Sequence, residues 1–311
     1  MKKIITIILL LAVTLGVSAQ QDPQFTQYMY NPVVINPAYA GNRGVLSVVG
    51  LHRSQWVGLD GAPRTQSLSA HAPISNSRVG LGLSVLNDEI GPADETYLTA
   101  DFSYTIPVGD EAKFSFGIKA GAHLLNVDFN QLDIFDPSDP RLQGGGVDNL
   151  LSPTVGLGLY YHSKKFYIGL SVPNLLQTDH FDESRNSATS FIAQERMHYF
   201  MSTGYVFNLS DSVKFKPATM FKMVPGAPLQ WDASANFLFN DKVTVGAAYR
   251  WSAAVSGLVG FQLNDQLMIG FAYDRETTEL GNAVFNDGSY ELFMRFELFN
   301  NVDKIITPRF F

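Results

Sequence analysis

Leu98-Thr99-Ala100-Asp101-Phe102-Ser103-Tyr104-Thr105-Ile106 decides the fold. Side chains on an extended strand point alternately to its two faces. Leu98, Ala100, Phe102, Tyr104 and Ile106 therefore share one face, and Thr99, Asp101, Ser103 and Thr105 the other. A helix at 100° per residue would scatter both sets around its axis. The next run repeats the pattern, with Phe114, Phe116, Ile118, Ala120, Ala122 and Leu124 against Lys113, Ser115, Gly117, Lys119, Gly121 and His123. Near the end of the chain Tyr290, Leu292, Met294, Phe296 and Leu298 alternate with Glu291, Phe293, Arg295 and Glu297. Charge on the second face would be intolerable against lipid and is ordinary in a lumen.

Composition agrees. The 311 residues are 46% hydrophobic and 13% aromatic but only 16% charged, where soluble proteins carry about 25% charge. That excludes a disordered chain. With no cysteine, disulfide scaffolds, thiolate metal sites and cysteine nucleophiles are also excluded. The net charge of −7 and the lack of a basic stripe argue against nucleic acid as a partner.

Residues 1–19 read as a secretory signal peptide: Lys2 and Lys3, an apolar run from Ile4 to Val17, then small residues ending at Ala19. That run is shorter than the roughly 20 residues needed to span a bilayer, and no Cys follows to carry a lipoprotein anchor. The mature chain is expected to start at Gln20. Losing Lys2 and Lys3 takes the 22 basic residues to 20 against 29 acidic, a net charge of −9. Beyond Gln20 no apolar segment reaches membrane-helix length. Backbone groups inside a bilayer must all be paired, which leaves only helices and closed barrels, so a barrel remains.

The alternation predicts an all-β, antiparallel up-and-down transmembrane barrel of about fourteen strands. They are placed near 44–56, 64–73, 78–87, 95–107, 112–125, 152–162, 165–173, 197–208, 213–224, 228–239, 242–251, 254–263, 266–275 and 289–299. Even-to-odd connections are short and rich in Asn, Asp, Ser and Gly, the residues of tight hairpins. The three longest connections, Asn126 to Leu151, Asn174 to Arg196 and Arg275 to Gly288, are all odd-to-even. This parity is that of periplasmic turns and outer loops. The domains are then a leader at 1–19, an N-terminal periplasmic extension at 20–43, the barrel at 44–299 and a C-terminal periplasmic tail at 300–311. The extension is too aromatic to rest bare in water and is expected to pack as a plug or collar against the periplasmic mouth.

At this extension the chain resembles a known family. Asp22-Pro23-Gln24-Phe25-Thr26-Gln27-Tyr28-Met29, Asn31-Pro32 and Asn36-Pro37-Ala38-Tyr39-Ala40-Gly41 are similar to the opening signature of the PorP/SprF proteins. Arg53, Gln55-Trp56, Gly61-Ala62-Pro63, Thr65, Arg196 and His198-Tyr199-Phe200 continue the resemblance. So do Gly270-Phe271-Ala272-Tyr273-Asp274, Gly288-Ser289-Tyr290-Glu291 and the tail Thr307-Pro308-Arg309-Phe310-Phe311, with Tyr290 where the family more usually has His. The resemblance implies a non-enzymatic outer-membrane barrel of the type IX secretion and gliding machinery of Bacteroidetes. Such a barrel would support export or surface attachment of a cargo protein bearing a type IX C-terminal signal, in some members an adhesin. Its other partners would be periplasmic type IX components and outer-membrane lipid; no cofactor or metal is implied. The alternative is an outer-membrane channel or hydrophobic-solute transporter.

Candidate partner-binding residues are Phe25, Tyr28, Tyr30, Asn36, Pro37, Tyr39, Arg53, Trp56 and Asp274, since aromatic and Arg side chains dominate interface energetics. The inward charges Asp101, Lys113, Lys119, Lys214, Lys216, Asp232, Arg250, Asp274, Glu291 and Arg295, with bulky Phe200 and Phe293, are expected to pair and fill the bore. Ser67, Ser69 and His71 share a strand face and resemble a lipid-hydrolase arrangement, but parity turns them toward the lumen and no orienting carboxylate accompanies them. Asp128, Asp133, Asp136, Asp139 and Asp148 lack EF-hand spacing and read as a solvated loop. Trp56, Tyr97, Tyr160, Tyr161, Tyr249 and Trp251 read as interfacial girdles.

Overall fold

The computed structural model describes residues 24–74, 78–132, 146–176 and 196–299. The leader, the first mature residues, the tail at 300–311, Asp133, Asp136, Asp139 and most of the connection between 174 and 196 lie outside the described residues. Among those described, no helix is long and apolar enough to cross a membrane.

The strands are β1 (Leu46–Ser54), β2 (Arg64–Pro73), β3 (Val79–Ile90), β4 (Ala93–Val108), β5 (Ala112–Asp128), β6 (Gly146–His162) and β7 (Phe166–Val172). They continue with β8 (Tyr199–Tyr205, resuming as Phe207–Asn208), β9 (Val213–Met223), β10 (Gln230–Phe239), β11 (Val243–Arg250), β12 (Ala254–Gln262), β13 (Leu267–Glu276) and β14 (Ser289–Leu298). Each pairs antiparallel with its sequence neighbours. β14 closes on β1 from Leu46↔Leu298 to Ser54↔Tyr290, completing a fourteen-stranded barrel with no free edge. β8 is interrupted between Gly204↔Ala218 and Phe207↔Phe215 and resumes in the same register. Pro217 lies in that gap on β9 and has no N–H to give the ladder.

Burial follows the alternation. Leu98 and Leu83 are 53% and 63% exposed on the outer face, a surface suited to hydrocarbon and costly in water. Thr99, Asp101 and Ser103 point inward and are buried. The even-to-odd connections, all short, gather at one end of the barrel; the three longest lie at the other, beside the tight β3–β4 and β11–β12 turns. At the short-turn end Asn240 and Asp241 hold φ of 50° and 55°, the left-handed region that Asn and Asp tolerate in tight turns, and the Lys242 N–H donates to the Phe239 carbonyl at 3.0 Å to close the turn.

Two hairpins run beyond their sequence-predicted limits. β3 and β4 continue to Ile90 and Ala93, and β5 and β6 reach Asp128 and Gly146. Alternation fails there because these residues rise above the lipid and need no apolar face. The ladder persists nevertheless: Asn87↔Thr96, Asp88↔Glu95 and Glu89↔Asp94 stay paired. The Asn87 amide donates to Asp94 at 2.6 Å and to Thr96 at 3.1 Å.

Candidate functional site: the occupied bore

The sequence before β1 folds into three short 3-10 turns, Tyr28–Tyr30, Pro32–Val34 and Pro37–Tyr39. Two begin with an Asn-Pro pair. Proline presets the backbone for a first helical position, and the Asn36 side chain accepts the Ala38 N–H at 3.0 Å. Such turns expose side chains all round, so the segment needs a complete wall. It finds one inside the barrel.

The segment can be followed through the bore by its partners. At the long-connection end Gln24 donates to Asp232 at 3.1 Å and accepts from Gln230 at 2.8 Å, both near the start of β10. Deeper, Thr26 N–H and Gln27 N–H donate to the two oxygens of Glu291 at 2.9 and 2.8 Å. Tyr30 stacks on Phe293 with centroids 4.4 Å apart. Ser69 donates to Asn31 at 2.7 Å, Ser103 donates to the Ala40 carbonyl at 2.7 Å, and Gly41 N–H donates to His71 Nδ1 at 3.1 Å. Asn42 meets His162 at 2.7 Å, and Arg43 pairs with Glu297 near the short-turn end, where β1 begins.

The segment is a plug, as expected, but its expected place against the periplasmic mouth is corrected. The segment lies within the bore along its length because its partners are distributed over almost every depth of the inner wall. The wall is shaped to receive it: a Cβ on Gly117 would collide with the backbone of Pro37 and Ala38, and one on Gly158 with the Asn36 side chain. Inward glycines opposite the Asn-Pro turns were a legible signal that alternation alone does not read.

Charge is handled by pairing. Arg53 reaches Asp274 at 2.6 Å and Glu291 at 3.1 Å, and Thr26 Oγ donates to Asp274 at 2.6 Å. Lys119 pairs with Asp101 at 2.9 Å and Arg250 with Asp232 at 2.8 Å. A buried charge left single would be strongly destabilising, whereas a hydrogen-bonded set is tolerated. Lys113, also expected inside, is exposed at the short-turn end.

The structure brings together most of the sequence-predicted site residues, as packing partners of the barrel. Phe25 and Tyr30 share a cluster with Leu51, Leu86, Met268 and Phe293. Tyr28 packs with Phe200 and Met220, and Tyr39 with Val33, Ala38, Tyr160 and Tyr167. Asn36 donates to the Leu159 carbonyl at 3.1 Å, Pro37 is buried beside it, and Arg53 is 1% exposed. Trp56 stands apart in the β1–β2 connection, its backbone N–H donating to Ser289 Oγ at 3.2 Å. Sequence reasoning missed Gln27, which is fully buried, and the Arg43–Glu297 pair.

Two girdle assignments are corrected. Tyr160 is buried in the lumen against Tyr39, and Tyr97 stacks on His123 at 4.2 Å. Both occupy inward positions of their strands, where the segment supplies an apolar partner. Tyr249 and Trp251 do lie exposed on the outside. Ser69 and His71 are engaged in holding Asn31 and Gly41, not in a nucleophile–base pair.

The family model for the type IX secretion system membrane protein PorP/SprF matches residues 17–296. The chain belongs to the PorP/SprF family. It is accordingly an outer-membrane protein of type IX secretion, and both family and fold are those of secretion or channel membrane proteins. No curated protein matches it by sequence. Among solved structures, the CymD monoaromatic hydrocarbon channel is 14% identical over 92% of this chain and 96% of its own, with a TM-score of 0.51. The TodX deltaS2S3 mutant monoaromatic hydrocarbon channel is 11% identical over 92% and 98%, with a TM-score of 0.47. A FadL homologue of Pseudomonas aeruginosa is 12% identical over 90% and 96%, with a TM-score of 0.45. At such identities the likeness to CymD is one of fold alone.

Proposed function

We propose that this PorP/SprF barrel works by binding: it supports export or surface attachment of a cargo protein bearing a type IX C-terminal signal, such as an adhesin, while its bore stays closed. The observation that carries this reading is the occupied lumen, with Thr26, Asn36, Gly41 and Arg43 each fixed to a different depth of the wall. A diffusion channel needs a wet path, and here the segment and paired charges fill it.

In this reading the long connections face the outside of the cell and meet the cargo, with Trp56 among them. The short turns and the tail at 300–311 face the periplasm and meet other type IX components. Phe25, Tyr28, Tyr30 and Tyr39 serve partners indirectly, by holding the barrel in shape. The test is a clean deletion strain complemented with the intact gene. Cargo should remain unsecreted or unattached without the barrel and be restored by it. Normal cargo display in the deletion strain would refute the reading.

A further inference from the structure

We infer that the long-connection end of the bore holds a binding cavity for one tyrosine side chain presented by the exported partner. The inference deepens the proposed function and rests on the sidedness given there.

Between the inserted segment and the wall from β3 to β8 lies a cavity of about 100 Å³, open on one side. Phe25, Ile35, Leu86, Tyr97 and Phe200 supply most of its apolar lining. An apolar cavity of roughly 150 Å³ takes up benzene, so the space suits a single ring. The ladder fixes its depth. Leu86 pairs with Tyr97 near the long-connection end, Ser84 with Thr99 one inward position deeper, and Asp101 with Lys119 deeper again. Lys119 reaches Asp101 at 2.9 Å and donates to the Val33 carbonyl at 3.4 Å, tying wall to segment. That contact forms the floor. Ile35 and Tyr97 stay partly exposed although wall and segment flank them, so the opening faces the long-connection end. A guest entering there meets a buried ion pair, and the geometry is that of a receptor.

The lining also selects the guest. Its rings favour the face or edge of another ring. Two of its polar groups, the Ser84 hydroxyl and the Asn174 side-chain nitrogen, are buried without a partner among the described residues. The Asn174 oxygen is already engaged, accepting from the Leu176 N–H at 3.2 Å and from Thr154 Oγ at 3.4 Å, which leaves the amide nitrogen as a donor. Buried donors of this kind are costly to leave unmade. A ring that carries an oxygen answers both features, and tyrosine is the side chain with that chemistry. It is also a frequent anchor of protein interfaces.

The probes are p-cresol, which is the tyrosine side chain alone, and toluene, its counterpart without the oxygen. Titrated into the whole barrel in detergent, p-cresol should shift the methyl resonances of Val34, Ile35 and Leu86 saturably. It should bind about tenfold more tightly than toluene, the worth of one hydrogen bond. Ile35→Trp and, independently, Thr154→Phe fill the cavity and should abolish binding, with heat-modifiable gel mobility showing that the barrel has assembled. In cells either assembled variant should lose cargo display. No saturable shift at these methyls in the parent protein, equal affinity for toluene, or binding that survives in an assembled filled variant overturns the inference. Normal cargo display by an assembled variant that no longer binds p-cresol overturns it as well, because the guest is then not the partner's side chain. None of these results replaces the deletion strain, which alone decides whether the barrel serves cargo.

Discussion

The backbone N–H of Thr26 donates to one oxygen of Glu291 at 2.9 Å, joining residues 265 positions apart in the chain. The other oxygen takes the Gln27 N–H at 2.8 Å, and Arg53 approaches the same carboxylate at 3.1 Å. One buried side chain of the last strand thereby satisfies two donors of the inserted segment and neutralises part of a guanidinium.

Glu291→Ala should be among the most damaging single substitutions in the bore. It removes two hydrogen-bond acceptors and leaves Arg53 with Asp274 as its remaining carboxylate. Breaking a buried ion pair by removing one partner costs about 3–5 kcal/mol. Denaturant unfolding in detergent checks this, and Glu291→Gln, which keeps an acceptor oxygen, should lose less.

Purified barrel in a planar bilayer should carry little steady current, because the segment occupies the lumen. Excision of residues 24–43 should convert it into an open, ion-conducting pore lined by Ser69, Asp101 and Lys119. A large steady conductance in the intact protein would contradict the closed-bore reading and favour transport.

Gly117→Val should destabilise the protein, since the added carbons meet the backbone of the Pro37–Tyr39 turn. Overpacking of this kind costs about 1–3 kcal/mol. Gly257→Val is the matched control: nothing lies within 4 Å of a Cβ there. Its thermal unfolding in detergent should stay close to the parent's, whereas that of Gly117→Val should shift down.

His71→Ala should leave the lipid composition of the outer membrane unchanged, because His71 Nδ1 accepts the Gly41 N–H and serves the inserted segment. The substitution should weaken the seating of that segment by about 1 kcal/mol, the net worth of one hydrogen bond. Limited proteolysis across residues 38–44 reads the loosening, and an altered lipid profile would revive the hydrolase reading.

Much of the barrel was legible from residue order because a membrane wall imposes a period of two on every strand that meets lipid. Leu98 to Ile106 and Tyr290 to Leu298 could not satisfy hydrocarbon outside and polar contacts inside in any other conformation. Where a strand leaves the lipid, as at Asn87 to Glu89, that constraint lapses, and the extension of the ladder could not be read. The aromatic and Asn-Pro content of residues 24–43 showed that they needed cover, but not where.

The sequence by itself determined a closed antiparallel wall with an apolar outside, since local alternation and hairpin chemistry act between neighbours in the chain. Only the tertiary structure decided that the segment before β1 lies inside the wall, running from the long-connection end to the short-turn end. That choice depends on Glu291, Asp274, Gly117 and Gly158, which come from four different strands. Their joint fit to Thr26, Asn36 and Ala38 exists only once the barrel has closed.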